Sequence, residues 1–333
     1  MTTTEDAQVE ISDRAHLLAA PLVSVIVMAY KHGPYLAAAL ESVLAQAVDF
    51  PFEVLVGEDC SPDDTREVAL RFQERHPDRV RVITAGRNVG VMRNYHRLLA
   101  ASRGQFIAYL DGDDAWLPGK LQRQMDFLRD NPDCSGAYAN ALTVDEKGSP
   151  VGVFNDVGTA KFDLAYLLRH GNFLNASSML IRAAVREHVL AIDEPFIDYR
   201  VHLRAARAGL LAHFRQPLAV YRISSSSSML AHSNDRVRQC YWEAILDVPR
   251  DRISDRDFTR GLADFMRRII FRSVRVMRWS LLREWTPKVY AASPYGIVRT
   301  SVYVATAVVR SACIKSTGFV IELAGGPRVL YRR

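Results

Sequence analysis

Hydrophobic and polar positions along the chain change period in a regular way. Residues 22–29 (LVSVIVMA), 52–57 (FEVLVG), 80–84 (VRVIT) and 106–110 (FIAYL) are short, nearly unbroken apolar runs rich in β-branched side chains. Such runs predict strands buried on both faces. Between them the spacing becomes helical. Leu36, Leu40, Val43 and Leu44 mark a helix over 34–47, and residues 91–102 form another. A third helix starts near residue 61, with Ser61 as cap, Pro62 in first position, and Asp63 and Asp64 in the first turn. Strand and helix thus alternate four times with short connections, which predicts an α/β fold, a mostly parallel sheet with helices on both faces. Ligands of such sheets bind beyond the carboxyl ends of the strands. Ala29-Tyr30, Glu58-Asp59 and the acidic stretch from Asp111 to Asp114 all fall at that edge.

The pieces that follow are shorter. A helix to about residue 130, a strand over 135–144 closed by a turn at 145–149, a helix over 163–170, a strand near 177–181 and a helix over 183–190 are expected. A helical stretch from 197 then ends at Gly209, which suits a left-handed cap. Two strand-like runs, 210–214 and 218–223, precede the serine run 224–228. Beyond it the chain turns helical and Arg-rich. These changes divide the sequence into a disordered leader over 1–20, an α/β domain over 21–228 and a basic α-helical region over 229–333.

Charge sharpens that division. The 333 residues carry a net charge of +6, yet from Tyr241 onward there are 17 Lys or Arg against 8 Asp or Glu, so the preceding 240 residues are net acidic by 3. With 49% hydrophobic and 24% charged residues the chain buries a proper core and is not a disordered protein. Cys60, Cys134, Cys240 and Cys313 stand far apart with no CxxC pair, which fits free thiols in a reducing compartment better than zinc or disulfides. The apolar stretch 17–30 resembles a signal-peptide core, but Glu5, Asp6, Glu10 and Asp13 precede it where a basic start belongs. In the tail, residues 300–309 are the longest uncharged piece, about half of the roughly 20 residues a membrane span needs. Arg299, Arg310 and Lys315 flank or interrupt it. A helix lying on an anionic membrane surface and an ordinary appendage with a solvated basic face both suit this pattern.

The chemistry concentrates in QFIAYLDGDDAWLP, residues 105–118. Asp111, Asp113 and Asp114 repel one another unless a cation, water or a basic ligand shares them. Hard oxygen ligands at a strand end suit Mg2+ or Mn2+ holding a diphosphate. The competing account is an acidic turn before a helix, with Asp114 as cap and Pro118 opening it.

These residues carry a resemblance. VSVIVMAYKHGPYLAAALESVLAQ, VLVGEDCSPDDT, RNVGVMRNY, RGQFIAYLDGDDAWLPGKLQ, DYRVHLRAARAG and PLAVYR follow in the order found in the family 2 glycosyltransferases, inverting enzymes with the nucleotide-sugar fold called GT-A. The match runs over about two hundred residues and omits the leader and the tail. It implies that Asp59 accepts the N3–H of uracil, with thymine and guanine left open because each offers a comparable proton. Tyr30 would pack on the base, with core packing as the competing role, and Ala29 would contribute backbone. Asp111 and Asp113 match the family's D-x-D, the first reaching the ribose or metal-bound water and the second ligating the metal. Asp114 would support them. Arg93 and Asn94 resemble a polar pair near the donor, with a purely structural role competing.

Asp198 aligns with the aspartate that deprotonates the acceptor hydroxyl. Ile197 replaces the Glu that usually precedes it, and Asp193 and Glu194 are rivals in sequence. His202, one turn on, shares its face. Where the family's YRxH has histidine this chain has Ser224, which leaves Arg222 as the diphosphate contact. The implied protein is a metal-dependent transferase using a nucleotide-sugar donor, UDP-linked by preference, and a glycan or lipid-linked hydroxyl acceptor, as in surface polysaccharide or glycolipid assembly. It would be cytoplasmic and peripheral on the inner membrane face. Two other classes compete. A nucleotidyltransferase would want a Gly-rich basic loop after the first strand, where residues 30–34 supply one Lys and one Gly. A binding protein acting through its tail would meet lipid rather than nucleic acid, because the tail lacks regular aromatic interleaving.

Overall fold

The computed structural model describes residues 8–13, 15–193, 195–223, 234–323 and 327–332. The central strands are β2 (Val23–Ala29), β3 (Phe52–Glu58), β4 (Val80–Thr84) and β5 (Phe106–Asp111). They run parallel in the order β4-β3-β2-β5, so the four apolar runs form the expected parallel half of the sheet. Helices α1 (Gly33–Leu44), α2 (Thr65–Arg75) and α3 (Val91–Ala101) connect them, and every residue of β2 and β3 is buried. The α2 start differs from expectation. Ser61 and Pro62 belong to a loop instead, because the Asp63 carboxylate accepts hydrogen bonds from Thr65 and from the Gly33 amide and thereby ties that loop to the start of α1.

The second half of the sheet is mixed. After β6 (Ala115–Trp116) and α4 (Lys120–Asp130) comes the long β7 (Cys134–Val144), then the short β8 (Pro150–Asn155) and β9 (Ala160–Phe162). The acidic turn does not open α4: β6 intervenes, and Gly119 is the residue before the helix. Helix α5 (Leu164–His170) is capped by Asp163, whose carboxylate accepts the Tyr166 amide. The strand expected near 177 is a 3-10 turn, Ala176–Ser178, followed by β10 (Leu180–Arg182), which lies antiparallel between β5 and β7. Next come α6 (Arg186–Leu190) and α7 (Asp198–Ala208). Gly209 ends α7 with φ 167°, an extended rather than a left-handed conformation. The two runs expected after it are one strand, β11 (Leu210–Arg222), parallel to β7 with register shifts around Pro217. Proline lacks the amide that an unbroken ladder needs, so a bulge accommodates it.

The leader is not uniformly without structure. β1 (Val9–Ile11) pairs antiparallel with β4, and Glu10 receives two hydrogen bonds from Arg81. Arg81 also donates to Glu53, which is fully buried and is shared with Ser24 and Arg103.

The boundary expected in the serine run lies outside the described residues. Beyond it come α8 (Asn234–Leu246), α9 (Asp255–Arg275), α10 (Ser280–Ala292) and α11 (Ile297–Leu323), with β12 (Arg328–Tyr331) added beside β8. Tyr241, Trp242, Phe265 and Trp285 of these helices share one core with Leu167, Tyr199 and Leu203. Helix α11 is longer than its uncharged centre suggested. By length and composition its stretch Ile297–Ser316 is sufficient to cross a membrane, and only 11% of that apolar window is buried.

Candidate active site

The carboxyl ends of β2, β3 and β5 build the site. Ala29 opposes Glu58 across one ladder and Met28 opposes Asp111 across the other, so the ends of β3 and β5 lie about 10 Å apart across β2. The chain turns sharply at both β2 and β3. Lys31 and Cys60 adopt φ of 59° and 55°, left-handed values that cost energy in residues with a Cβ and that cluster at functional sites.

Asp59 is buried just beyond β3, and its backbone amide donates to the Ala29 carbonyl at 3.1 Å. Its carboxylate accepts the Val89 and Gly90 amides at 2.8 and 2.9 Å, and the Arg97 guanidinium lies 3.4 Å away. Oδ1 takes the Val89 amide and Arg97 and Oδ2 only the Gly90 amide, so Oδ2 keeps a lone pair for a further donor. Tyr30 is 39% exposed at the mouth, where it is open to a flat ligand rather than packed in the core. Asn94 is different. Its amide donates to the Gly57 carbonyl at 2.7 Å and accepts from Arg97 at 2.8 Å, so it orients Arg97 toward Asp59 from below the strand ends. Arg93 is exposed one position earlier.

The D-x-D turn is held from three sides. The Tyr109 hydroxyl donates to Asp111 Oδ1 at 2.6 Å, and the Asp111 amide donates to Ser177 Oγ at 3.1 Å. Burial, with Asp113 and Asp198 adding repulsion, pushes the Asp111 carboxyl up to about 7 despite the hydrogen bond from Tyr109. Asp114 is spent on structure: it accepts Ser177 Oγ at 2.5 Å and the Arg222 amide at 2.8 Å, and burial beside Asp113 and Asp111 raises it well above the usual carboxylate range. Gly112 presses against the end of β2, where an added Cβ would stand 2.7 Å from His32 Nδ1 and 2.8 Å from the Met28 carbonyl. Asp113 lies at the mouth, its Oδ1 4.0 Å from His32 Nε2. Arg222 donates from Nε to the Asp113 carbonyl at 3.0 Å and from Nη1 to the carbonyls of Asp145 and Glu146, while its guanidinium stacks over Tyr35.

Two carboxylates fit a divalent cation here. Asp111 and Asp113 crowd one turn with too few donors to compensate them, and His32 Nδ1 beside them is buried without a hydrogen bond. Among the described residues no three His, Cys, Asp or Glu form a closed cage. An open site of this kind leaves the remaining positions to phosphate and water oxygens, which is how Mg2+ and Mn2+ are commonly held beside nucleotides.

Asp198 is the first residue of α7 and faces the same recess as Tyr109. Tyr95, Tyr109, Phe196, Asp198, Val201 and His202 line a small hollow of about 60 Å³, so the phenol that bonds Asp111 also borders Asp198. Asp198 Oδ1 accepts the Asn172 side-chain amide at 3.0 Å and the Tyr199 amide at 2.8 Å. Its Oδ2 is 3.8 Å from His202 Nε2, and His202 Nδ1 meets the Tyr138 hydroxyl at 2.9 Å. Burial disfavours the charge, but His202, Asn172 and the Tyr199 amide outweigh it and hold the carboxyl below its ordinary range. Ile197, in place of an acid, packs against the core. Glu194 and Ser224 lie outside the described residues. Sequence reasoning missed Asn172 and Ser177, which act across the chain, Tyr109, which sits two residues before Asp111 inside an apolar run, and Arg97, which helical spacing from Asn94 would have flagged.

A parallel sheet with this acidic carboxyl edge, continued by a mixed half whose helix brings Asp198 to the recess lined by Tyr109, defines a GT-A fold. Residues 24–180 match the family described as glycosyl transferase family 2. The matched segment is a little under half of the chain and holds Asp59, Asp111 and Asp113. It is 28% identical over 222 residues to the uncharacterized protein Rv1520 of Mycobacterium tuberculosis, covering 66% of this chain and 64% of that one, so it spans less than two thirds of the relative's length. It is 28% identical over 279 residues to the uncharacterized glycosyltransferase alr2836 of a Nostoc species, covering 79% and 86%. The crystal structure of S. aureus TarS 1-349 in complex with UDP-GlcNAc superposes with a TM-score of 0.63 at 20% identity, over 85% of this chain and 83% of that one, a likeness of fold.

Proposed function

We propose that the protein transfers a sugar, with inversion, from a nucleoside diphosphate donor, UDP-linked by preference, to the hydroxyl of a glycan or lipid-linked acceptor. The observation that carries this reading is the position of Tyr109 between Asp111 and Asp198: its hydroxyl donates to Asp111 Oδ1, and its ring lines the recess that Asp198 borders. A fold neighbour that binds UDP-GlcNAc supports the donor class.

In this reading Asp59 accepts an imide N–H of the base, Tyr30 covers its face and the backbone around Ala29 borders the ribose. Asp111 and Asp113 hold Mg2+ or Mn2+, which when bound neutralises the departing diphosphate. Arg222 adds positive charge on the same side. Asp198 Oδ2 takes the acceptor proton as the hydroxyl oxygen bonds to the anomeric carbon, and the carbon–oxygen bond to the diphosphate breaks with its electron pair leaving on the nucleotide. A carboxylate kept ionised by Asn172 and His202 suits that role.

Release of nucleoside diphosphate from a panel of nucleotide sugars, with an acceptor mixture and Mn2+, tests this. Asp113→Ala is expected to abolish turnover and Mn2+-dependent donor binding, whereas Asp198→Ala is expected to abolish turnover and leave donor binding intact. Undiminished turnover in both variants would refute the assignment.

A further inference from the structure

A groove of about 1260 Å³ lies between α9 and α11, closed at its ends by the last turn of α5 and by β12. Ten Lys or Arg side chains line it against one carboxylate, Asp264. That carboxylate is already occupied, accepting Arg267 at 2.6 Å and Arg268 at 2.9 Å. Arg275 and Arg310 line the groove, are exposed, and pair with no acid among the described residues. Burial, with Arg267, Arg268 and Arg275 adding to it, lowers the affinity of Lys315 for its proton, so the excess charge is felt inside the groove. Such a concentration of cations on a folded surface is uphill unless an anion neutralises it.

The rim of this groove is apolar. Val298, Val302, Ala305, Val309 and Ala312 follow at helical spacing along α11 and are all exposed, Val298 by 80% and Val309 by 62%. Val302 belongs to both features, since it also lines the groove. A stripe of this kind facing water costs free energy that burial in an acyl layer recovers. A soluble anion would satisfy the arginines and leave the stripe exposed. A lipid surface satisfies both.

We infer that the face formed by α9 and α11 binds an anionic phospholipid bilayer, with a phosphate headgroup seated in the arginine groove and the Val298 to Ala312 stripe at the acyl boundary. Helix α11 lies along the membrane rather than through it, because it packs against α9 and its Arg267–Ser311 and Phe271–Lys315 contacts fix one side to the protein. This inference rests on the tail and the last turn of α5 and is independent of the transfer chemistry.

The test uses the full chain in co-sedimentation with vesicles of phosphatidylcholine, alone or mixed with phosphatidylglycerol. Binding is expected to the mixed vesicles only, and to weaken as salt rises. The double variant Arg275→Glu, Arg310→Glu is expected to lose about tenfold or more in partitioning, and Arg275→Lys, Arg310→Lys to retain it. Val298→Gln with Val309→Gln, both outside the groove lining, is expected to release the protein while leaving the groove charge in place. Melting temperatures and donor binding report whether each variant is folded. Equal binding to neutral vesicles, salt-independent binding of the wild type, or unchanged partitioning of the folded Glu variant overturns the inference. Stabilisation by inorganic phosphate without any vesicle binding overturns it in favour of a soluble anion.

Discussion

Asp247 links the helical tail to the helix that carries Asp198, and its loss is measurable. Three arginines of α7, Arg200, Arg204 and Arg207, are spaced to share one helix face and converge on this one carboxylate. Arg204 donates to both oxygens at 2.8 Å, Arg200 approaches at 3.3 Å and Arg207 at 3.0 Å. Burial alone would raise the carboxyl, but the three guanidinium groups pull it from 3.8 to about 2. That difference is worth about 2.5 kcal/mol of folding stability at neutral pH. Because the folded value is depressed, the contribution is complete above about pH 4 and disappears as pH falls through about 2. Asp247→Asn keeps the shape and removes the charge. Urea melts of wild type and variant are expected to differ by about 2.5 kcal/mol at neutral pH, with the gap narrowing by about 1 kcal/mol near pH 3. A gap below about 0.5 kcal/mol, or one that stays constant with pH, would refute the reasoning, since exposed pairs show the first and a purely steric effect the second.

The other predictions are briefer. Glu53→Ala leaves Arg81 and Arg103 beside an empty buried position and is expected to cost about 3–5 kcal/mol in urea melts. Asn172→Ala removes a donor to ionised Asp198, so its proton affinity rises and the acid limb of kcat/KM moves to higher pH; a pH–rate profile identical to wild type would count against Asp198 as the base.

How much of this was legible in the sequence depended on how local the cause was. Residues 80–84 were bounded correctly because an unbroken β-branched run between polar turns has one stable disposal, the middle of a sheet. The acidic site residues were legible for a related reason: strand–helix alternation alone assigns strand ends to one edge. What escaped was set by distant partners. β1 is three residues long and is anchored by Glu10 on Arg81, seventy-one positions away, so its own composition carries little sign of it. β11 read as two strands because Arg215, Gln216 and Pro217 look like a turn, yet pairing with β7 on both sides carries the strand through the bulge. The long α11 was underestimated because charged residues divide its apolar stretch, although they sit on a continuous helix. Tyr109 was hidden inside an apolar run, and only the fold shows its hydroxyl on Asp111.

The replacement of the usual acid by Ile197 looks, in sequence, like a weakened base. The structure gives it a different meaning. A second carboxylate beside Asp198 would raise its proton affinity by like-charge repulsion, as Asp198 itself does to Asp111. Ile197 contributes packing instead, and the support for Asp198 comes from Asn172 and His202, an amide donor and an imidazole, both of which favour the ionised form. Asn172 is placed by Gly171, which turns the chain with φ 66° after α5, and the Asn172 backbone amide donates to the Tyr241 hydroxyl at 3.0 Å. Tyr241 belongs to α8 and stacks on Tyr199, the residue after Asp198, with ring centroids 4.4 Å apart. The helical tail therefore acts on Asp198 from two directions, through Tyr241 against Asn172 and Tyr199 and through Asp247 against α7. The part of the chain beyond the family match thus supplies Asp198 itself and the Tyr241 and Asp247 contacts that hold its surroundings.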